Sequence, residues 1–286
     1  MPRFKTEELL AKHTTYRIGG KAAYFAEPAN NHELAITLAV ARSNALRSCF
    51  IGGGSNVLFS DRGFDGLVVH LTGDFREFHF TGKRLFAGAA CPMSVLVNQS
   101  AEGGLSGLEG LAGVPGTFGG ALVGNAGTAG GWIGDIVESV AVLNNHGRVE
   151  DLSLEEISFG YRSSSLEGKA LISAVLSLKT ADKNDILKAL SKNLIYRQGT
   201  QPTGTLNAGS VFKNPQGKSA GALIEAAGLK GYTVGGAQIS HKHANFIINT
   251  GSAKASDVAA LIEIVRDKVR AESGIALETE IKIIEA

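Results

Sequence analysis

Apolar residues recur along this chain with two periods, and the switches between them outline its elements. From Asn31 to about Leu46 the period is helical, with Leu34, Leu38 and Ala41 on one face and Asn30 placed to cap the start. Cys49–Gly53 follows as a strand and a second short strand lies around Leu67–Leu71, which makes this stretch a compact α/β unit. Residues 75–80 and 84–89 alternate as the arms of a hairpin around Thr81-Gly82-Lys83, and a helix is expected from about Met93 to Glu102. Val137–Leu143 and Arg148–Leu152 flank Asn144-Asn145-His146-Gly147 as a second hairpin. Ser153 and Glu156 have capping-box spacing for a short helix, Ala170–Lys179 alternates like a half-buried strand, and Asp182–Tyr196 reads as a helix.

The pattern breaks at Gln198–Leu206, which places a domain boundary there. Beyond it the periodicity predicts a helix near Gly217–Ala227, a strand at Asn245–Asn249, a longer helix at about Ser256–Glu272 and a final strand at Glu278–Ile284. Val258, Leu261, Ile262, Val265 and Val269 form the apolar stripe of the long helix. No tandem repeat occurs at solenoid spacing.

One stretch fits neither period. Glycine supplies 13 of the 36 residues from Ala101 to Ile136, interleaved with Leu, Val, Ala, Phe and Pro rather than with the Ser, Gln or charge of a flexible linker. Apolar side chains anchor such a segment, while glycines let backbone N–H groups approach a ligand closely or adopt positive φ. The segment therefore reads as an ordered loop around a phosphate-bearing cofactor, or else as a glycine-rich turn cluster between core strands.

Composition narrows the setting. A length of 286 residues suits about two domains, and 44% hydrophobic with 19% charged residues is the balance of a soluble globular protein. The 28 basic and 27 acidic residues leave a net charge of +1, which offers no global attraction to nucleic acid or an anionic membrane. Cys49 and Cys91 lie in apolar surroundings and read as buried free thiols, with covalent cofactor attachment at Cys91 as the lesser alternative. The first residues are too charged for a secretory signal, and no apolar run approaches a membrane span, so a cytoplasmic enzyme or binding protein is expected.

Gly52-Gly53-Gly54-Ser55-Asn56 lies between a strand and a polar turn, where successive amides and two side-chain donors suit a pyrophosphate. Val57 stands where a dinucleotide fingerprint or a nucleophile elbow needs glycine, and no Gly-Lys-Ser/Thr follows. Taken alone, the motif is a tight turn or a phosphate cradle.

Together with residues 107–120 and 125–127, it resembles the FAD-binding domain of the vanillyl-alcohol-oxidase (PCMH) type. More narrowly, the chain resembles the UDP-N-acetylenolpyruvoylglucosamine reductase (MurB) family. Ordered matches run through residues 13–20, 52–56, 107–120, 161–164, 201–202, 208–215, 227–240, 243–249 and 277–284. The resemblance implies an α+β architecture: an FAD-binding region over residues 1–200, in two α/β subdomains of about 1–70 and 71–200, then a smaller α/β substrate domain over 201–286. The last strand would return to the first subdomain. It also implies that FAD is reduced by NADPH, and that flavin N5 then passes hydride to C3 of the enolpyruvyl group of UDP-N-acetylglucosamine enolpyruvate. A proton added at C2 completes UDP-N-acetylmuramate.

The resemblance assigns residues to these tasks. Gly52, Gly53, Gly54, Ser55 and Asn56 would hold FAD together with Gly113, Pro115, Gly116, Thr117, Gly119, Gly120, Asn125 and Gly127. Arg162, whose planar guanidinium suits a carboxylate gaining charge, would stabilise the enolate, whereas by residue type alone it reads as a surface or ion-pair residue. Ser210 would donate the proton, though outside the motif it would read as a turn serine. Glu280 would polarise the enolic acid, although Glu278 shares its strand face and a solvated strand edge is the alternative. Tyr161, Arg197, Lys213, Asn214 and His243 would contact substrate, with Tyr196 beside them; the His241/His243 pair has no third ligand nearby in sequence, so no metal is expected.

Two departures stand out. The family often carries an aromatic residue shortly after Asn-Ala-Gly, whereas this chain has Thr128-Ala129-Gly130-Gly131-Trp132. Only 47 residues separate Arg162 from Ser210, which matches a shorter form without the extra substrate-covering loop. A monomer is expected, without nucleic-acid or membrane partners. Another flavin oxidoreductase of the same fold and a non-catalytic flavin- or nucleotide-sugar-binding protein are the competing readings. Only the reductase would oxidise NADPH when given the enolpyruvyl sugar.

Overall fold

The computed structural model describes residues 3–128 and 130–286. Six α-helices punctuate it: α1 (Asn31–Ser43), α2 (Met93–Glu102), α3 (Phe118–Val123), α4 (Lys183–Thr200), α5 (Ala220–Ala226) and α6 (Ala255–Ser273). A four-stranded sheet carries, in order, Phe4–Leu9, Lys21–Ala26, Phe64–Val69 and Ser48–Phe50. The first two of these strands were not visible in the periodicity, because their charged and apolar residues do not alternate cleanly. By compactness the chain divides into one unit of residues 3–6, Tyr24–Gly53 and Gly66–Tyr196, and another of Glu7–Ala23, Gly54–Asp65 and Arg197–Ala286.

In the first unit, α1 starts where Asn30 Oδ1 accepts the Glu33 N–H at 3.0 Å. It stops at Ser43, short of the expected Leu46, because Ala45 takes a left-handed φ of 50° that no helix continues through. The strand after it spans only Ser48–Phe50, and the following glycines form bends instead of extending it. A five-stranded antiparallel sheet orders Val149–Ser153, Val137–Leu143, Ala170–Ser177, Arg84–Gly88 and Phe78–Thr81. Residues 73–76 form a 3-10 turn that buries Phe75, so the hairpin arm expected from residue 75 begins only at Phe78. The Ser153/Glu156 capping box is present, with Glu156 Oε2 accepting the Ser153 N–H at 2.8 Å. One apolar core runs through this unit, including Leu85, Met93, Leu96, Phe118, Leu122, Val140 and Leu176.

In the second unit, α6 lays its predicted stripe of Val258, Leu261, Ile262, Val265 and Val269 into a separate core with Tyr16, Leu58, Phe212 and Ile239. This unit also includes two segments missed in the sequence: Thr233–Val234 pairs with Ala237–Ile239, which pairs in turn with Ile247–Asn249. They are too short to show a period. The expected final strand shrinks to Lys282–Ile284 and pairs in parallel with Val57–Phe59. α5 begins at Ala220, where Ser219 caps it, so Gly217 is a turn residue with φ +70°. α4 overruns the expected boundary to Thr200, since nothing before Pro202 forbids helix, and Lys242 Nζ donates to the Gln198 carbonyl near its end. Among the described residues, no helix is long and apolar enough to cross a membrane.

The start of α6 is capped from a distance. Asp61 Oδ1 accepts the Ala255 N–H at 2.7 Å and Oδ2 the Ser256 N–H at 3.0 Å. Burial raises the Asp61 carboxyl, but bonds from Ser256 and Ala255 outweigh it and hold the group below its usual range. A depressed folded-state pKa stabilises the fold above the unfolded value, and that gain fades as pH falls through the folded value. Asp61→Ala should therefore lower stability by about 1 kcal/mol at neutral pH, with the difference shrinking in strong acid. Equal urea midpoints for the two proteins at pH 7 would refute the cap.

Candidate active site

In the first unit the two glycine-rich stretches meet backbone to backbone. A Cβ on Gly53 would stand 2.7 Å from Gly116 Cα, and one on Gly52 would run into Thr117 Oγ1. Only glycine permits that approach, which leaves bare main chain where the two stretches meet. The 113–120 stretch is pinned from behind, with Phe118 N–H donating to Cys91 O and Gly119 N–H to Ala89 O, both at 2.8 Å. Gly119 is buried against Ala89, so it serves helix packing, whereas Gly113, Pro115 and Gly120 are exposed and Gly116 and Thr117 half-buried. Cys91 is buried, its Sγ–H directed at the Arg76 and Glu77 carbonyls, and burial raises its pKa, which suits a structural thiol.

The same unit builds a seat for Arg162. Phe159–Gly160 and Ser163–Ser164 pair as a hairpin whose two-residue tip is Tyr161-Arg162, with Arg162 at φ 55°. A non-glycine residue in that region is strained and needs outside support. Asn125, buried and at φ 41°, supplies part of it: Nδ2 donates to Gly160 O at 2.9 Å and Oδ1 accepts the Gly134 N–H at 3.0 Å. The Arg162 guanidinium donates to Gly127 O at 3.1 Å and lies 5.2 Å from the Trp132 ring and 5.8 Å from Tyr161. Of the departing segment, Ala129 lies outside the described residues, and Gly131-Trp132 pairs with Gly127-Thr128.

The second unit pairs the segment that follows Ser210 with the segment that carries Glu280, although the two residues lie 70 apart in sequence. Val211 O accepts the Glu280 N–H at 2.7 Å, Phe212 bridges Thr279, and the Lys213 N–H donates to Glu278 O at 2.9 Å. Glu278 and Glu280 flank the bridge residue Thr279, and no regular strand begins before Lys282. The Glu278 side chain is 79% exposed and pairs with Lys213 Nζ at 3.5 Å, while Glu280 is half-buried. Asn245 fixes the neighbouring segment from the other side, accepting the Phe212 N–H at 2.9 Å and donating to Phe212 O at 2.8 Å. Ser210 is half-buried, and its hydroxyl bonds no other side chain or carbonyl among the described residues.

Other expected contacts are partly committed. Gly54 takes φ 62°, and its carbonyl accepts the Thr15 N–H at 3.0 Å; Ser55 is half-buried beside it. Asn56 Nδ2 donates to Glu280 O at 3.3 Å, which ties the end of this loop to the acidic segment. Asn214 Oδ1 accepts the Ala220 N–H at 3.0 Å at the start of α5, and Arg197 lies 3.5 Å from Gln201 Oε1. His243 Nδ1 accepts the Asn245 N–H at 3.1 Å, which leaves Nε2 as the protonated nitrogen of a neutral ring. His241 covers Gly231 while His243 covers Gly221, so the pair diverges, and no metal-binding cluster occurs among the described residues.

Comparison with known proteins decides the family. Residues 22–153 match the model described as FAD binding domain, and residues 201–284 match that of the UDP-N-acetylenolpyruvoylglucosamine reductase C-terminal domain. UDP-N-acetylenolpyruvoylglucosamine reductase 2 of Symbiobacterium thermophilum is 45% identical over 98% of this chain and 92% of its own length. The chain belongs to the UDP-N-acetylenolpyruvoylglucosamine reductase family. The reductase (MurB) of Thermus caldophilus has a crystal structure that superposes with a TM-score of 0.86 at 37% identity, covering 99% of both chains. BBE-like 1 of Physcomitrella patens, at 18% identity and TM-score 0.50 over 62% of this chain and 42% of its own, shares the fold alone. The expected fold class, a PCMH-type FAD-binding region followed by the reductase family's C-terminal domain, is thus established.

Gly52 and Gly53 are exposed and bare where Gly116 and Thr117 crowd them, so main chain and not side chains forms this surface, which is the kind of surface that the pyrophosphate of FAD requires. Sequence reasoning did not find Asn245, the side-chain clamp on Phe212, or the contact of Trp132 with Arg162. The signal for Asn245 was present in the sequence as one amide in an otherwise apolar run.

Asn245→Ala strands a buried N–H and C=O of Phe212 and should cost about 2–4 kcal/mol of stability. A loss under about 0.5 kcal/mol in urea unfolding would rule the clamp out. His243 is shifted below its ordinary pKa by burial and then by the Lys230 charge, with Glu225 opposing. The unfolded chain therefore binds the proton first, and stability falls as pH drops from about 6.5 toward the folded value. His243→Gln should flatten that limb of a stability–pH profile. An unchanged slope would mean that His243 does not titrate this way.

Proposed function

We propose that this chain is an FAD-containing reductase that uses NADPH to convert UDP-N-acetylglucosamine enolpyruvate to UDP-N-acetylmuramate, a step of peptidoglycan precursor synthesis. The observation that supports the reading is the backbone pairing of Val211, next to an uncommitted Ser210 hydroxyl, with Glu280, in a chain that matches 92% of the length of a family reductase. Residues 1–200 serve FAD and 201–286 the substrate. The protein acts as a cytoplasmic monomer, without nucleic-acid or membrane partners, in keeping with its net charge of +1.

FAD, when bound, supplies the hydride transfer from NADPH to C3 of the enolpyruvyl group. Gly52, Gly53, Gly54, Ser55 and Asn56, with Gly113, Pro115, Gly116, Thr117, Gly119, Gly120, Asn125 and Gly127, form its seat. Asn125 and Gly119 act there by bracing the loops, since the Asn125 side chain is spent on Gly134 and Gly160 and Gly119 packs on Ala89. Arg162 meets the enolpyruvyl carboxylate with two N–H donors as negative charge accumulates. Ser210 Oγ–H gives the proton to C2, and the Glu280 carboxyl, protonated at that moment, hydrogen-bonds the enolic acid. Neutral His243 offers its Nε2–H to the diphosphate or sugar, and Tyr161, Arg197, Lys213 and Asn214 line the substrate.

Ser210→Ala should leave NADPH able to bleach the flavin while slowing reoxidation by substrate at least about 10²-fold. Stopped-flow absorbance at the flavin band separates the two half-reactions. A reoxidation rate equal to that of the parent enzyme would remove Ser210 from the mechanism.

A further inference from the structure

Arg162 has a long side chain at the tip of a two-residue hairpin, a site that by itself leaves the guanidinium free to sweep. Its single charge is useful only if the plane of the fork faces the carboxylate, so something must select that plane. Trp132 is built to do so. Its ring rests on Gly127, where a Cβ would stand 2.6 Å from Trp132 Cε3, so the indole occupies space that only glycine leaves open. Its main-chain N–H donates to Asp135 Oδ2 at 2.8 Å, which locks the turn behind it. Tyr161 meets the indole edge-on, with 5.6 Å between centroids and 89° between planes. Gly127 thus serves twice, seating the indole and accepting from Arg162 Nη1 at 3.1 Å. Asn125 ties the two sides together by bonding Gly134, just after Trp132, and Gly160, just before the hairpin tip.

We propose that Trp132 is a positioning residue for Arg162, its indole holding the guanidinium by cation–π contact in the plane that meets the substrate carboxylate. The proposal rests on the reading that Arg162 binds that carboxylate. It gives a role to the one aromatic residue in the segment where this chain leaves the family's pattern.

The test is a double-mutant cycle in the FAD-loaded enzyme, read by the rate at which the enolpyruvyl substrate reoxidises the reduced flavin. Trp132→Ala should slow that rate by about tenfold, Trp132→Phe should restore most of it, and Trp132→Ala placed on Arg162→Ala should cost less than about twofold more. Because Trp132 is the only tryptophan, its emission is a second readout that needs no turnover. Arg162→Ala should change the emission intensity or maximum. Effects that multiply in the double variant, failure of Trp132→Phe to rescue, or an emission spectrum insensitive to Arg162→Ala would each overturn the proposal. An Arg162→Ala enzyme with unaltered reoxidation would instead remove the role of Arg162 itself, and this inference with it.

Discussion

The pairing of residues 211–213 with 278–280 is the constraint on which the arrangement of the second unit depends. Two segments far apart in sequence are joined there by the Glu280–Val211 and Lys213–Glu278 backbone bonds. Neither segment belongs to a long strand, so the pairing would be weak alone. Asn245 completes it by giving Phe212 the two bonds that a neighbouring strand would have supplied. Phe212 and Ile281 then bury their side chains in the core that α6 covers. A serine hydroxyl and a glutamate carboxyl held this way can differ in environment from the exposed Glu278 only two residues away.

The first unit solves a different problem, that of bringing a charged fork and exposed glycine backbone out of apolar scaffolding. Buried Asn125 carries much of this, since one amide bonds both the buried Gly134 N–H and the Gly160 carbonyl beside the hairpin tip. Positive φ at Asn125 and Arg162 marks strain that the surrounding bonds hold in place, a pattern common where a side chain must be aimed. Close approach at Gly53 and Gly116 has the same logic in the backbone. The aromatic pair Trp132 and Tyr161 adds a face of low polarity against the cation without removing its donors.

Legibility in the sequence tracked length and period. The helices Met93–Glu102 and Ala255–Ser273 and the strand Val137–Leu143 lie where their patterns placed them, because each carries enough turns or alternations to state its period. Phe4–Leu9, Lys21–Ala26 and the short pair Thr233–Val234 and Ala237–Ile239 did not, since neighbours across the sheet and not local alternation make them strands. The helix ends at Ser43 and Thr200 moved for local reasons: a left-handed Ala45 in one case, a late proline in the other.

Glycine spacing and ordered motifs were enough to reach the cofactor class, the family and the residues worth watching, because they record constraints on the backbone that few other residues satisfy. Only the tertiary structure decided which of those residues remain available. It spent Asn125 and much of Asn56 and Asn214 on backbone carbonyls and amides, turned Glu278 to solvent, made His243 an acceptor at Nδ1 and placed Trp132 on Arg162. A motif names a side chain, but its hydrogen-bonding capacity is divided among whatever neighbours the fold brings within about 3 Å.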